Sequence, residues 1–123
     1  AEYVMELLVL DSVTPIPQSP SHFIGITNLR GQVTAIVDLC VLLEIPREQQ
    51  VCHQALIVGR DEPQFGIAVD RIEHVTALRR SDLVASAVTA HQDLISGLNR
   101  DGLIVLDAQK LIDCPDLYID DLD

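Results

Sequence analysis

A mostly β fold built as two related lobes is what this sequence predicts, on three observations. Hydrophobic residues make up 48% of its 123 positions, and Val and Ile recur among them often enough to favour pleated strands over helices. Six glycines and six prolines punctuate the chain at short intervals, which keeps any helix brief. A pattern of hairpin, aspartate and short helix occurs twice along the chain. At about 100 to 200 residues per domain, the length fits one domain of two fused lobes and excludes a multidomain enzyme.

Taken in order, Tyr3 to Leu10 is apolar enough for a strand, a short helix being the alternative. Thr14-Pro15-Ile16-Pro17-Gln18-Ser19-Pro20 follows, and its three prolines hold the chain extended and forbid a helix. Phe23 to Leu29 and Gln32 to Val37 read as strands joined by a tight turn at Arg30-Gly31. Asp38 is placed to cap a short helix over Leu39 to Leu43 that stops before Pro46. A second hairpin pairs Ala55 to Val58 with Phe65 to Val69 across Gly59 to Pro63. Ile72 to Leu78 continues as strand, and residues 79–93 form a polar connector with at most a short helical turn. Leu94 opens a hairpin around Asn99-Arg100-Asp101-Gly102, Asp107 precedes a short helix carrying Leu111 and Ile112, and Asp113 to Asp123 reads as a loosely held acidic tail.

The two halves present the same features in the same order. Ile24-Gly25 leads to Asn28, Arg30-Gly31, Val37-Asp38 and Leu42-Leu43, while Ser96-Gly97 leads to Asn99, Asp101-Gly102, Leu106-Asp107 and Leu111-Ile112. Upstream, Val4-Met5-Glu6-Leu7 stands to the first hairpin as Ile72-Glu73-His74-Val75 stands to the second. The second lobe has the hairpin of residues 55–69 in front of it and the first lobe has no counterpart. The expectation is a first lobe (1–50) incomplete at its N-terminus, a second lobe (51–112) and a tail (113–123), with an unpaired first-lobe edge that gives a route to a homodimer.

The charge is −11, from 19 acidic and 8 basic residues, with most of the acidic excess in the second half. Phosphate backbones are repelled by such a chain, and Tyr3, Phe23, Phe65 and Tyr118, the only aromatics, give no stacking platform for bases. The longest apolar stretch, Val33 to Leu43, is interrupted by Asp38 and falls short of the ~18 residues of a membrane span. Cys40, Cys52 and Cys114 are odd in number and lack CxxC spacing, which suggests neither a disulfide framework nor a zinc site. A cytoplasmic protein with no signal peptide, metal or cofactor is expected.

Phe23 to Leu39, FIGITNLRGQVTAIVDL, resembles the CheW-like family, whose members carry G-[VI]-x-N-L-R-G-x-x-x-P-[VI]-[VI]-D-L at this place. Thr14 to Pro17 is similar to the family's T-P-[VI]-P run, and Phe65 to Ile72 to its second-lobe G-[IL]-x-V-D-x-[IV]. The resemblance covers residues 4–112; it departs at Ala35, where the family has Pro, and in the missing first strand pair. It implies one CheW-like domain of two five-stranded SH3-like β-barrel lobes with short helices. It also implies a non-catalytic adaptor that links chemoreceptor cytoplasmic signalling tips to the regulatory domain of a CheA-type histidine kinase.

Individual residues follow from both lines of reasoning. Arg30 at a hairpin tip is held out from the fold, where it can meet a carboxylate, and the resemblance puts it in the receptor and kinase contact region. Gly25, Asn28 and Gly31 serve backbone geometry. Val4 and Glu6 match a V-x-E strand that the resemblance places on a receptor-facing groove, a core valine and a solvated glutamate being the alternative. Gly66, Ile67 and Val69 match the barrel wall against which the kinase domain docks, with core packing as the alternative, and Gly97 and Leu98 are weaker candidates. Asp38 and Asp107 read as helix caps rather than an acid/base pair. Cys52-His53 is the only adjacent thiol and imidazole, yet neighbours on a strand face opposite ways, and His22, His74 and His91 lack metal-ligand spacing. Two other functions stay open: a CheW-like module cut from a larger protein, such as a kinase regulatory domain or a receiver fusion, and a small enzyme using Cys52 or Cys40.

Overall fold

Seven strands in two sheets organise the described residues of this computed structural model, which are 3–10, 13–45, 54–69, 79–85 and 91–118. Strands β1 (Val4–Val9), β2 (Phe23–Leu29), β3 (Gln32–Val37), β4 (Gln54–Val58) and β5 (Phe65–Val69) form a five-stranded sheet in the order β1-β4-β5-β3-β2. Strands β6 (Ile95–Leu98) and β7 (Ile104–Leu106) pair by themselves. The helices α1 (Leu39–Leu42) and α2 (Ala108–Ile112) are single turns, and three-residue 3-10 turns lie at Arg80–Asp82, Gln92–Leu94 and Pro115–Leu117.

The three expected hairpins and both short helices form. The β2–β3 turn has the two-residue geometry that suits twisted strands, because Arg30 (φ 50°) and Gly31 (φ 84°) both take positive φ. Asn28 helps to hold it, its Oδ1 accepting from the Gly31 amide at 2.8 Å. Asp38 Oδ1 accepts from the amides of Cys40 (3.0 Å) and Val41 (3.3 Å), and Asp107 Oδ1 from that of Lys110 (3.1 Å). Both aspartates therefore cap.

Strand pairing crosses the expected lobe boundary. β5 lies parallel to β3, with Ala35, Ile36 and Val37 beside Phe65, Gly66 and Ile67, and β4 pairs antiparallel with β1. Strands from both sides of residue 50 thus share one sheet, and no closed barrel occurs among the described residues. The strand expected over Ile72 to Leu78 and the boundary at residue 50 lie outside the described residues.

Alternation gives this sheet two apolar faces. On one, Phe23, Val37, Val58 and Phe65 join Leu39, Leu42, Leu43, Leu94, Leu111, Ile112, Cys114 and Leu117 in one buried cluster. On the other, cross-strand partners run in a single row from Glu6 through Ile57, Gly66 and Ile36 to Gly25. Gly66 is required in that row, since a Cβ there would lie 2.7 Å from Ile36 Cδ1 and 3.0 Å from Ile57 Cδ1.

The segment expected to be a loose tail is packed as far as Tyr118. Leu117 is fully buried, the Tyr118 ring meets Phe65 edge-on at 5.5 Å, and its hydroxyl donates to the Ile112 carbonyl at 2.6 Å. Burial raises the Tyr118 pKa. Arg60 forks onto Asp113 (3.1 and 3.2 Å), fastening this segment to the β4–β5 turn. Apolar side chains among the acidic ones override the charge of the tail.

The internal repeat is reproduced in backbone detail. Thr14 bridges to Ile26 ahead of the first motif as Val84 bridges to Leu98 ahead of the second. Bulges fall between Phe23 and Gly25 and between Ile95 and Gly97. The capping aspartates tie back alike, Asp38 N to His22 O at 2.7 Å and Asp107 N to Leu94 O at 2.8 Å. Each bulge glycine lies under the bridging strand, for a Cβ on Gly25 would come 2.4 Å from Thr14 O and one on Gly97 2.7 Å from Val84 O. Gly25→Ala and Gly97→Ala are each expected to cost about 1–3 kcal/mol through overpacking against backbone. Val33→Ala, at a position 59% exposed, is expected to stay within ~0.5 kcal/mol, as chemical denaturation will measure.

Candidate functional site

Glu6 and Arg30, far apart in sequence and on opposite edge elements of the sheet, meet. The turn between β2 and β3 projects Arg30, and Glu6 points from β1 along the row that ends at Gly25. The Arg30 guanidinium forms a two-point ion pair with the Glu6 carboxylate, Nη2 on Oε1 and Nη1 3.4 Å from Oε2. This contact shows that the sheet coils enough to bring its two edges together at one end. The Arg30 side chain remains 70% exposed against 28% for Glu6, so the guanidinium can exchange its carboxylate for one on another molecule.

The opposite face of the same sheet carries the second feature. Next to the buried cluster, against which Ile67 still packs, Leu7 opposes Leu56, which opposes Ile67, and Val9, Gln54 and Val69 form the next row. Leu7 and Val9 are 45% and 59% exposed, and Leu56, Ile67 and Val69 are half-buried. Val4 is 43% exposed at the end of β1, where a bulge separates it from Glu6. Contiguous apolar rows of this kind mark surfaces that other molecules cover.

Of the residues singled out by sequence, the fold thus joins Arg30 to Glu6 and puts Val4, Ile67 and Val69 on the other face. Gly25 and Gly66 are buried, and their part is to let neighbouring groups close up. Gly97 is buried likewise and Leu98 half-buried. Leu7 and Val9 escaped sequence reasoning because Val4 to Val9 is apolar almost throughout and its face depends on the bulge. Cys40 is half-buried and Cys114 buried, and neither is disulfide-bonded; Cys52 and His53 lie outside the described residues. Burial raises the Cys114 pKa, with the charges of Asp116 and Asp93 adding to it. One trio has metal-ligand chemistry among the described residues, His91, Cys114 and Asp116, brought together by the fold from positions with no ligand spacing.

Fold and site together define a small β module that presents an ion-paired turn at one place and an apolar sheet face at another. Its residues 1–115 match the CheW-like domain model, and the chain belongs to that family. It is 32% identical to the chemotaxis protein CheW of Treponema pallidum over 127 aligned positions, covering 93% of this chain and 74% of the relative. It is 29% identical to that of Klebsiella aerogenes, covering 96% and 75%. The scaffolding protein TtCheW of Thermoanaerobacter tengcongensis shares the fold, with a TM-score of 0.65 and 22% identity over 85% of this chain and 74% of that one. Among the described residues no helix is long and apolar enough to cross a membrane.

An exposed pair such as Arg30–Glu6 contributes ~0.2–1 kcal/mol. A double-mutant cycle using Glu6→Gln and Arg30→Asn is expected to give a coupling in this range that fades in high salt. Asparagine is chosen at position 30 because it accepts positive φ.

Proposed function

We propose that this chain is a non-catalytic chemotaxis adaptor of the cytoplasm, coupling the signalling tip of a chemoreceptor to the regulatory domain of a CheA-type histidine kinase. Membership of the CheW-like family supports the role. The observation that carries the coupling is the separation of two unlike surfaces on opposite faces of one sheet. An adaptor must hold two partners at once, and its effect lies in the coupling free energy between them rather than in bond-making. Arg30 and Glu6 are assigned to the receptor side; Val4, which the sequence motif groups with Glu6, falls instead on the face of Ile67 and Val69, and these three, continued by Leu56, Leu7 and Val9, are assigned to the kinase side. Gly25 and Gly66 act indirectly by shaping the sheet.

The assignment is tested by isothermal titration of the chain against a kinase regulatory domain and a receptor-tip fragment. Arg30→Glu is expected to weaken receptor binding by more than tenfold, about 1.4 kcal/mol, and Val69→Lys to weaken kinase binding by as much. Arg30→Asn separates loss of charge from loss of the turn. Saturable binding to neither partner, with the fold intact by circular dichroism, overturns the reading.

The exposed β1 edge supports one further partner. Val4, Met5, Leu7 and Val9 are all at least 40% exposed on a strand that, among the described residues, is paired on one side only, the arrangement through which strands add to one another. In the absence of other partners, self-association through β1 is expected as a dimer in light scattering at high concentration that dissociates on dilution. Leu7→Lys is expected to keep the chain monomeric.

A further inference from the structure

We propose that His91, Cys114 and Asp116 form a binding site for one thiophilic divalent cation of the zinc class, with water completing its coordination. Each residue offers one ligand atom, and the three atoms lie within 4.8 Å of one another. His91 Nδ1 is 3.9 Å from Asp116 Oδ2. Ligands bound to zinc at about 2.0–2.3 Å sit roughly 3–4 Å apart, so small side-chain rotations close the set.

The backbone that carries these groups is anchored. His91 leads into the 3-10 turn Gln92–Leu94 and accepts from the Leu94 amide at 3.0 Å; Cys114 leads into Pro115–Leu117 and accepts from the Leu117 amide at 3.2 Å. Leu94 and Leu117 are both fully buried, so each ligand-bearing turn is pinned to the core by a leucine. A site held by rigid neighbours loses little freedom when it binds.

Chemistry and field agree with a cation. An imidazole nitrogen, a thiolate and a carboxylate make a mixed set of intermediate softness, which selects zinc-like ions over magnesium or calcium. Asp93, in the turn that follows His91, and Asp116 bring carboxylate charge to the neighbourhood of the site, and negative charge there attracts a divalent ion. Asp116 is exposed, with 60% of its side chain accessible, so water can reach its carboxylate and complete the coordination. Bound there, the ion clasps the segment after α2 to the entry of β6 and stabilises the fold by mass action.

The test is a titration of the reduced full chain with Co²⁺ under anaerobic conditions, followed by Zn²⁺. The expected result is one equivalent bound, with a near-ultraviolet thiolate-to-cobalt charge-transfer band that Zn²⁺ abolishes and a rise in thermal midpoint with Zn²⁺. Cys114→Ser is expected to abolish the band, and His91→Gln and Asp116→Asn to weaken Zn²⁺ binding at least tenfold. Cys40→Ser and Cys52→Ser are expected to leave both unchanged. Absence of a thiolate band in the native chain, or a band lost with Cys52 or Cys40 and kept without Cys114, overturns the proposal. His91→Gln provides a second reading should Cys114→Ser fail to fold, since it leaves the buried sulfur in place; unchanged Zn²⁺ affinity in that variant also overturns it.

Discussion

The parallel alignment of β5 beside β3 is the constraint on which the rest of the structure depends. It joins the two hairpins, β2–β3 and β4–β5, into one sheet, and the register of Ile36 beside Gly66 decides what each face holds. Phe65, one position earlier, then points to the side where Val37, Leu94, Leu111 and Leu117 collect. A slip of one residue would send Phe65 to the crowded opposite face and Gly66 to the main cluster, leaving a void on one side and a clash on the other.

Both surfaces of the functional reading follow from that alignment. Because the sheet coils, its edge strand and its far turn approach, and Glu6 reaches Arg30 although their strands are not neighbours. The buried cluster takes Phe23, Val37, Val58 and Phe65 from β2 to β5 and nothing from β1, so among the described residues Leu7 and Val9 on β1 stay exposed. A polar tip and an apolar strip are therefore two consequences of one packing arrangement. Substitutions that merely loosen the sheet will disturb both, whereas substitutions at Arg30 or Val69 act on one.

The repeat shows how much of the backbone is set by small local devices. In each copy a glycine lies under a crossing chain, a bulge turns the strand, and an aspartate caps a single-turn helix while its own amide returns to the start of the hairpin. None of these helices would persist alone, since a nucleus of one turn is unfavourable. They hold because the aspartate satisfies orphan amides and because Leu39, Leu42, Leu111 and Ile112 are buried. The copies differ in setting, one hairpin being absorbed into the large sheet and the other forming, among the described residues, a two-stranded ribbon.

Local signals in the sequence determined the hairpins, the Arg30-Gly31 turn, both aspartate caps, the repeat and the CheW-like resemblance, because turn and cap chemistry acts within a few residues of itself. Arg30 and Glu6 were each legible as candidates from their motifs. Their ion pair was not, since it depends on how far the sheet coils. The sharing of one sheet across residue 50, the exposure of Leu7 and Val9, the packing of Leu117 and Tyr118 into the acidic end, and the meeting of His91 with Cys114 and Asp116 were decided by tertiary structure alone. Each is a contact between segments distant in the chain, and such contacts are set by which apolar faces find one another during burial, a property of the whole packed assembly that no local spacing encodes.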